Sequence, residues 1–282
     1  MPHLTRHPAL SQKFATILAG AQHLPEVPFP KSVLMSQSNT LMLETRNVHV
    51  AFGGIHALSG VDLIVRPGIV QGLIGPNGAG KTTFVNVLSG FQKPTRGHVL
   101  LDGRDVSNEG PQTLARAGIG RSFQAARLFR DMSVEQNLMT AAIGTGKGRD
   151  AARARSHEIL QWMGLEHLAH ELGGALSYGD ERRISIARAL ALHPKFVLLD
   201  EPASGMNDAE SQTLMQIIRD MPARFDCGVL LIEHNMEVIM GVCERVHVLD
   251  GGRSLAEGTP LEVQKNPDVR RAYLGDDDAE TT

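Results

Sequence analysis

The chain has little cysteine, no long apolar run and no excess of charge of either sign. Only Cys227 and Cys243 occur in 282 residues, one beside an apolar run and the other in a helical pattern, which indicates reduced, buried thiols and argues against a disulfide. No apolar run approaches the ~18 residues of a membrane-spanning helix, so we expect no such helix. The 28 basic and 31 acidic side chains leave a net charge of −3, which gives no electrostatic footprint for nucleic acid, and we expect no such partner.

The clearest positive feature is a glycine-rich stretch directly after an apolar run. Residues 69–74 are mainly apolar, and residues 75–82 fit the pattern G-x-x-x-x-G-K-[ST]. Glycines let the backbone wrap round a polyphosphate, so that N–H groups and the start of the next helix point at anionic oxygens. A glycine-rich turn that caps an ordinary helix is the alternative. The predicted nucleotide-binding residues are Gly75, Pro76, Asn77, Gly78, Ala79, Gly80, Lys81, Thr82 and Thr83, with Lys81 on the outer phosphates and Thr82 on Mg²⁺.

Strand and helix patterns alternate along most of the chain. Residues 1–40 carry five of the 14 prolines without periodicity and are predicted to be an N-terminal extension of unknown role. Residues 275–282 form an acidic tail. Between them, strands are predicted at 41–52, 61–65, 69–74, 99–103, 196–199, 229–232 and 246–249, and helices at 81–89, 134–143, 151–163, 181–192, 208–221 and 235–243. This alternation predicts an α/β fold with a parallel sheet, into which a helical segment at about 125–190 is inserted.

Two adjacent carboxylates end the predicted strand at 196–199. Because successive side chains of a strand point to opposite faces, Asp200 and Glu201 are not expected to do the same work. Asp200 would face the phosphate loop and hold Mg²⁺, while Glu201 would orient and deprotonate an attacking water. A solvated strand end is the alternative.

A second candidate anion site lies at residues 176–180, Leu-Ser-Tyr-Gly-Asp, which lead directly into an apolar-periodic helix. The start of a helix presents free N–H groups and the positive end of the helix dipole, so Ser177 and Gly179 could face an anion. An ordinary N-cap serine explains the same residues equally well.

Taken in this order, the motifs resemble those of the ATPase subunits of ABC transporters, over about residues 41–274. The matching motifs are the Walker A motif at 75–83, the Q-loop at Gln124, the signature motif at 176–180, the Walker B motif at 196–201, the D-loop at 204–208 and the switch histidine at His234. Phe52 falls where these proteins carry an aromatic ring that stacks on adenine. The resemblance implies an α/β fold: a P-loop NTPase with a mostly parallel central sheet, an antiparallel β subdomain and a helical ABC signature subdomain.

The resemblance also implies how the residues would work. Two ATPase subunits would enclose two ATP molecules head to tail, so that the Lys81 loop of one subunit faces Ser177 and Gly179 of the other. Glu201 would be the catalytic base and His234 would contact the γ-phosphate. Gln124 would join Mg²⁺ and the attacking water to the transport pore. The implied metal ligands are Thr82, Gln124 and Asp200, and the implied cofactors are ATP and Mg²⁺.

Several segments look like the branched-chain amino acid uptake subgroup, among them residues 52–58, 121–129 and 266–275. Members work in the cytoplasm at the inner face of the membrane, with integral membrane permeases, a second ATPase subunit that is usually non-identical, and a periplasmic solute-binding protein that is reached indirectly. A homodimer is the alternative assembly. Export of a lipopolysaccharide-type lipid is the alternative function, because that subgroup shares features resembling residues 194–202 and 273–275.

Two other classes of protein remain as alternatives to a transporter. A soluble ABC-type ATPase acting on chromosomes, DNA repair or ribosomes would need long coiled-coil heptads or a second cassette, and the sequence has neither. A binding module without hydrolysis is disfavoured by Glu201 and His234. One departure from the family pattern is Asp180, where the family usually carries Gln. Its carboxylate would either cap the helix or repel nucleotide.

Overall fold

The computed structural model describes residues 41–274. The predicted extension at 1–40 and the predicted acidic tail at 275–282 lie outside the described residues. In chain order the strands are β1 Leu43–Phe52, β2 Ile55–Val65, β3 Val70–Ile74, β4 Arg96–Leu101, β5 Arg104–Asp105, β6 Ile119–Arg121, β7 Phe196–Asp200, β8 Gly228–Ile232, β9 Arg245–Asp250 and β10 Arg253–Gly258. The α-helices are α1 Lys81–Leu88, α2 Pro111–Ala117, α3 Val134–Gly144, α4 Arg149–Met163, α5 Tyr178–Leu190, α6 Asp208–Phe225, α7 Met236–Val242, α8 Pro260–Lys265 and α9 Pro267–Leu274.

The central sheet has the spatial order β10-β9-β3-β8-β7-β6. All neighbouring pairs from β9 to β6 are parallel, and only the edge strand β10 is antiparallel. Parallel strands end at the same edge of a sheet, and β3, β8 and β7 are direct neighbours there. Consequently the chain segments that leave these three strands, beginning at Gly75, Glu233 and Glu201, emerge side by side.

The second sheet is antiparallel, in the order β2-β1-β4-β5. Strand β2 is six residues longer at its start than the prediction of 61–65, because it begins at Ile55. Val61, Leu63 and Val65 alternate with more exposed residues, whereas Ile55 and His56 are exposed. The first part of β2 is therefore defined by pairing with β1 rather than by burial, so its sequence has no period-2 pattern.

Both faces of the central sheet are covered by apolar layers. On one face, Val197, Leu199 and Leu231 pack with residues of α3 to α7. On the other face, Leu198 and Leu230 pack with α1 and with the antiparallel sheet. Burial on both sides explains why these strands are continuous apolar runs without alternation.

The insertion between β6 and β7 consists of the helices α3, α4 and α5 and two short 3₁₀ turns, Glu166–Leu168 and Gly173–Ala175. The helices predicted at 134–143 and 151–163 are confirmed to within two residues at each end. Sequence patterns missed β5, β6, β10, α2, α8 and α9, which are only two to eight residues long and too short for a clear period. Within residues 41–274, none of the helices combines the length and the apolar composition needed to cross a membrane.

One buried amide fixes the loop that leads from β6 into α3. Asn137 is fully buried, accepts a hydrogen bond from the Phe129 N–H at 2.8 Å, and donates to the carbonyl oxygens of Phe129 at 3.0 Å, Met132 at 3.3 Å and Ser133 at 3.0 Å. Its amide oxygen is the partner of the Phe129 N–H, and its amide nitrogen adds bonds to three carbonyl oxygens that also accept from backbone N–H groups. The helical insertion and the chain that enters it are held together at this point.

We expect Asn137→Leu, which keeps the side-chain size, to lower the free energy of unfolding by about 1–3 kcal/mol, because the four hydrogen bonds between this buried amide and the backbone are lost. Ser156→Ala is the matched control, since Ser156 is also fully buried but bonds only to the Ala152 carbonyl within its own helix. Urea denaturation of the full chain measures the free energy of unfolding of both variants. Equal losses in the two variants would contradict the role of Asn137.

Candidate functional site

The phosphate loop lies between the end of β3 and the start of α1, and two of its positions require glycine. Gly75 has φ +155°, and a Cβ there would lie 2.1 Å from the Leu249 carbonyl oxygen. Gly80 has φ +100°, and a Cβ there would lie 2.7 Å from the Ala57 carbonyl oxygen. Gly80 is also the N-cap of α1, and no side chain caps this helix start. The first N–H groups of α1 are therefore available to an anion.

Lys81 is already directed into this loop. Its Nζ donates to the carbonyl oxygens of Gly75 at 2.7 Å and Pro76 at 3.0 Å. Burial lowers the pKa of Lys81, while the negative charges of Glu201 and Asp200 act in the opposite direction. The loop thus holds a cation beside a set of unpaired N–H groups, which suits a polyphosphate.

Asp200, the last residue of β7, is paired with a buried arginine. Arg121 Nη2 donates to Asp200 Oδ2 at 3.0 Å, and the two side chains are 8% and 10% exposed. Arg121 Nη1 donates to Asn86 Oδ1 at 2.7 Å and to Ser89 Oγ at 2.9 Å, both on α1 or at its end. The guanidinium also lies 4.8 Å from the Phe123 ring centroid. Arg121 therefore connects β6, β7 and α1.

Sequence reasoning placed Arg121 in a motif but gave it no role. Its signal is a charged residue at the end of a strand whose parallel neighbour, β7, is entirely buried. A charge at such a position requires a partner of opposite sign, because an unpaired buried charge is costly.

Glu201 contacts the two side chains that were predicted to act with it. Gln124 Nε2 donates to Glu201 Oε2 at 3.1 Å, and His234 Nδ1 lies 3.8 Å from Glu201 Oε1. Glu201 adopts φ +47°, and its N–H donates to the Ile232 carbonyl oxygen at 2.9 Å, so the chain turns sharply at this residue. His234 lowers the pKa of Glu201, and Glu201 in turn raises the pKa of His234. The carboxylate is thus held ionised at the open edge of the sheet.

Glu233 is a further residue that sequence reasoning missed. It is fully buried, which raises its pKa, and its carboxylate accepts from the N–H groups of Ala203 at 3.0 Å and His234 at 3.2 Å. These bonds join the turn after β8 to the turn after β7. Glu233 therefore orients the backbone that carries His234.

Ser177 and Gly179 form a second group at the start of α5. Ser177 is the N-cap, and its Oγ accepts from the Asp180 N–H at 3.2 Å. A Cβ on Gly179 would lie 2.6 Å from Glu210 Oε1. The Tyr178 hydroxyl donates to the Ser204 carbonyl oxygen at 2.9 Å, which ties this helix start to the loop after β7. Throughout residues 41–274, no hydrogen bond joins Ser177 to the phosphate loop.

Phe52 lies at the end of β1, beside the hairpin that leads into β2. Its side chain is about half exposed, at 50%. It pairs with Ile55, two residues before Ala57, whose carbonyl approaches Gly80 of the phosphate loop. An exposed aromatic ring near a phosphate loop offers a stacking surface for a base.

The oxygen atoms near the loop suit a magnesium ion better than a transition metal. Thr82 is exposed at the start of α1, and the Gln124 amide oxygen and the Asp200 carboxylate are further hard donors. The described part of the chain has no group of three or more His, Cys, Asp or Glu side chains placed to hold a metal by themselves. A metal bound here would therefore need ligands from a phosphate group, which is the usual situation of Mg²⁺ with nucleotides.

Comparison with known proteins agrees with this geometry. A family model described as ABC transporter matches residues 58–204, and one described as Branched-chain amino acid ATP-binding cassette transporter matches residues 253–279. The chain is 40% identical over 250 residues to the high-affinity branched-chain amino acid transport ATP-binding protein LivG of Escherichia coli K12, covering 83% of this chain and 98% of LivG. It is 37% identical over 236 residues to the lipopolysaccharide export system ATP-binding protein LptB of the same strain, with the same coverage.

Solved structures agree as well. The ADP conformation of MJ1267, an ATP-binding cassette of an ABC transporter, superposes with a TM-score of 0.77 at 30% identity, covering 84% of this chain and 99% of that one. The dimeric structure of MJ0796, a bacterial ABC transporter cassette, superposes with a TM-score of 0.69 at 27% identity, covering 77% of this chain and 98% of that one.

We expect Arg121→Met to lower the free energy of unfolding by about 3–5 kcal/mol, because it leaves the buried Asp200 without its partner. Arg46→Met is the control: Arg46 also pairs with a carboxylate, that of Glu44, but its side chain is 63% exposed, and loss of such a pair costs about 0–1 kcal/mol. Urea denaturation measures both variants. Similar losses in the two would contradict the structural role of Arg121.

We expect Glu201→Gln to lower the pKa of His234, because the carboxylate that favours the protonated ring is removed. In the unchanged chain, the stability from this contact is present below the ordinary histidine pKa and is lost as the pH rises through the raised folded-state pKa. NMR titration of the histidine ring measures the change. His247 is the control, because Glu257 is its nearest carboxylate and its titration should be the same in both chains. An unchanged His234 titration would refute the coupling.

Proposed function

The chain belongs to the ABC transporter family of ATP-binding cassette ATPases, and from that premise we propose that it hydrolyses ATP to power uptake of branched-chain amino acids or related small solutes. The resemblance read from the sequence is confirmed at the level of family, fold and ATPase activity. The cargo proposal rests on one observation: the family model described as Branched-chain amino acid ATP-binding cassette transporter matches the C-terminal segment 253–279.

ATP binding is assigned to the phosphate loop and its surroundings. The glycines at 75 and 80 let the backbone approach the phosphates, and the uncapped N–H groups of α1 and Lys81 neutralise their charge. Phe52 stacks on the adenine. Residues 75–83 supply the remaining contacts.

Hydrolysis is assigned to the group around Glu201. Its carboxylate is held by Gln124 and lies near His234, so it is placed to accept a proton from the attacking water, and His234 contacts the γ-phosphate. When bound by Thr82, Gln124 and Asp200, Mg²⁺ supplies charge neutralisation to the phosphates. Because phosphoryl transfer needs mostly positioning and charge stabilisation, the contacts of Glu201 with both neighbours are the support for this assignment.

A complete site needs a second ATPase subunit. Ser177 is exposed, and its side chain bonds only to Asp180 and not to the phosphate loop of the same chain. Ser177 and Gly179 therefore face the phosphates bound by a partner subunit, which is either non-identical or a second copy of this chain. A solved relative, MJ0796, is described as dimeric.

The assembly we propose places the chain at the cytoplasmic face of the membrane, bound to integral membrane permeases and served indirectly by a periplasmic solute-binding protein. Residues 41–274 form the ABC ATPase domain, with the helical subdomain at about 125–190. Export of a lipopolysaccharide-type lipid is the second candidate, favoured only by the 37% identity to LptB.

The test uses the transporter complex purified from membranes through a tag on this chain and reconstituted into liposomes. We expect ATP-dependent uptake of labelled leucine. Glu201→Gln should reduce ATP turnover about 100-fold or more while ATP still binds, because a positioned general base contributes at least that much. Lys81→Ala should weaken ATP binding itself.

Each of these measurements tests one assignment. Undiminished turnover in Glu201→Gln would refute the assigned base, and unchanged affinity in Lys81→Ala would refute the phosphate-loop assignment. Copurification with lipopolysaccharide-export components, with no leucine uptake, would replace import by export.

A further inference from the structure

The hydroxyl proton of Ser177 is already engaged by a carboxylate of its own helix. Ser177 Oγ donates to Asp180 Oδ2 at 2.6 Å and accepts from the Asp180 N–H at 3.2 Å. A serine hydroxyl has one proton to donate. As long as this bond is intact, Ser177 cannot donate to a phosphate oxygen, although the residue is exposed.

Asp180 is held firmly in this position. Its other oxygen, Oδ1, accepts from Arg183, one turn further along α5. The side chains of Asp180 and Arg183 are only 20% and 26% exposed. A negative charge at a helix start is also stabilised by the helix dipole. The carboxylate is therefore a fixed feature of this helix start and not a freely moving surface group.

Further charged side chains surround Ser177 and affect the approach of an anion. Glu210 brings a second carboxylate against Gly179, with its other oxygen accepting from the Asn207 N–H at 3.1 Å. Glu181 adds a third acidic group in the first turn of α5. Arg182 is turned back onto the Tyr178 hydroxyl, and Arg183 is committed to Asp180. The three carboxylates outnumber the two arginines, so the surface offered to a partner's phosphates carries a net negative charge.

We propose that Asp180 is a positioning residue that restrains ATP use by holding the Ser177 hydroxyl away from the partner subunit's nucleotide. The proposal rests on the proposed function, in which Ser177 faces the phosphates bound by another subunit. For that contact to form, the Ser177 hydroxyl must give up its hydrogen bond to the Asp180 carboxylate and donate to a phosphate oxygen instead. The phosphate must also approach the Asp180 carboxylate, which carries charge of the same sign. Arg183 reduces this cost because it neutralises the outer side of the carboxylate.

The test measures the KM for ATP and the kcat of the purified transporter complex. Asp180→Asn removes the charge and keeps the shape, and Asp180→Ala removes the hydrogen bond as well. Both should lower the KM for ATP, by roughly fivefold or more, with kcat unchanged or raised. Arg183→Gln should raise the KM, and it should have no such effect when combined with Asp180→Asn. Glu181→Gln is the control, because it removes a neighbouring charge that does not bond to Ser177.

The thermal unfolding temperature of each variant distinguishes a role of Asp180 in restraining ATP use from a role in capping α5. If Asp180 only caps α5, Asp180→Ala loses stability and the KM for ATP is the same as in the unchanged complex, which would overturn the proposal. An equal fall in KM for Glu181→Gln would also overturn it, because general charge would then be responsible.

Ser177→Ala distinguishes failure of this inference from failure of the proposed function. If Ser177→Ala impairs ATP turnover but the Asp180 variants behave like the unchanged complex, only the restraint is wrong. If Ser177→Ala has no effect, Ser177 does not contact nucleotide, and both the composite site and the restraint are refuted.

Discussion

The ion pair between Arg121 and Asp200 is the interaction on which the catalytic edge of the sheet depends. One guanidinium bonds to the end of β7 and to Asn86 and Ser89 of the phosphate-loop helix, so the strand that carries Asp200 and the helix that begins at Lys81 cannot move independently. The pair is almost completely buried, and its geometry must be good for attraction to offset the cost of desolvation. The additional bonds from Nη1 to Asn86 and Ser89 help to offset that cost, while Nε is buried without a hydrogen-bond partner among the described residues.

This arrangement also explains why two adjacent carboxylates have different environments. Asp200 faces Arg121 on the side of the phosphate loop, whereas Glu201 turns, at a positive φ, toward Gln124 and His234. The first is neutralised by a fixed charge, and the second keeps one oxygen near a titratable ring. Such a separation of environments is how neighbouring carboxyl groups acquire different chemical roles.

The parts of the fold that sequence could predict are those specified by local pattern. The apolar run before Gly75 and the run that ends at Asp200 are fully buried strands, and the length and composition of each run predict a strand. The phosphate loop is equally predictable, because glycine is required where its backbone lies close to the carbonyl oxygens of Leu249 and Ala57. The order of motifs along the chain then led to the right family and grouped Glu201, Gln124 and His234 in one predicted site. The contacts of Glu201 with the other two come from the structure alone.

What could not be predicted depends on partners distant in sequence. The first residues of β2 are strand only because β1 lies beside them, and β6 is only three residues long, so neither has a period to detect. The partner of Arg121 lies 79 residues away, and a lone arginine in a sequence does not specify which carboxylate it meets. The sequence left open whether Asp180 caps the helix or repels nucleotide, and the bond that it accepts from the Ser177 hydroxyl is given only by the coordinates.

The two helix starts that we propose to face nucleotide have different N-caps, and this difference changes the free energy of anion binding. At α1 the N-cap is Gly80, which has no side chain, so the N–H groups are free before any ligand arrives. At α5 the N-cap is Ser177, whose hydroxyl satisfies one N–H and is itself engaged by Asp180. An N-cap bond of this kind contributes typically about 1 kcal/mol.

Binding at α1 therefore breaks no existing bond to a cap, whereas an anion at α5 must compete with one and must also approach a carboxylate. In the proposed site, a helix start of the first kind would bind phosphate whenever nucleotide is present. A helix start of the second kind would become occupied only when other contacts between two subunits supply the difference in free energy. The same element of secondary structure would thus serve as a permanent site in one place and as a conditional one in the other, and the distinction lies in the side chains of Ser177 and Asp180 at the start of α5.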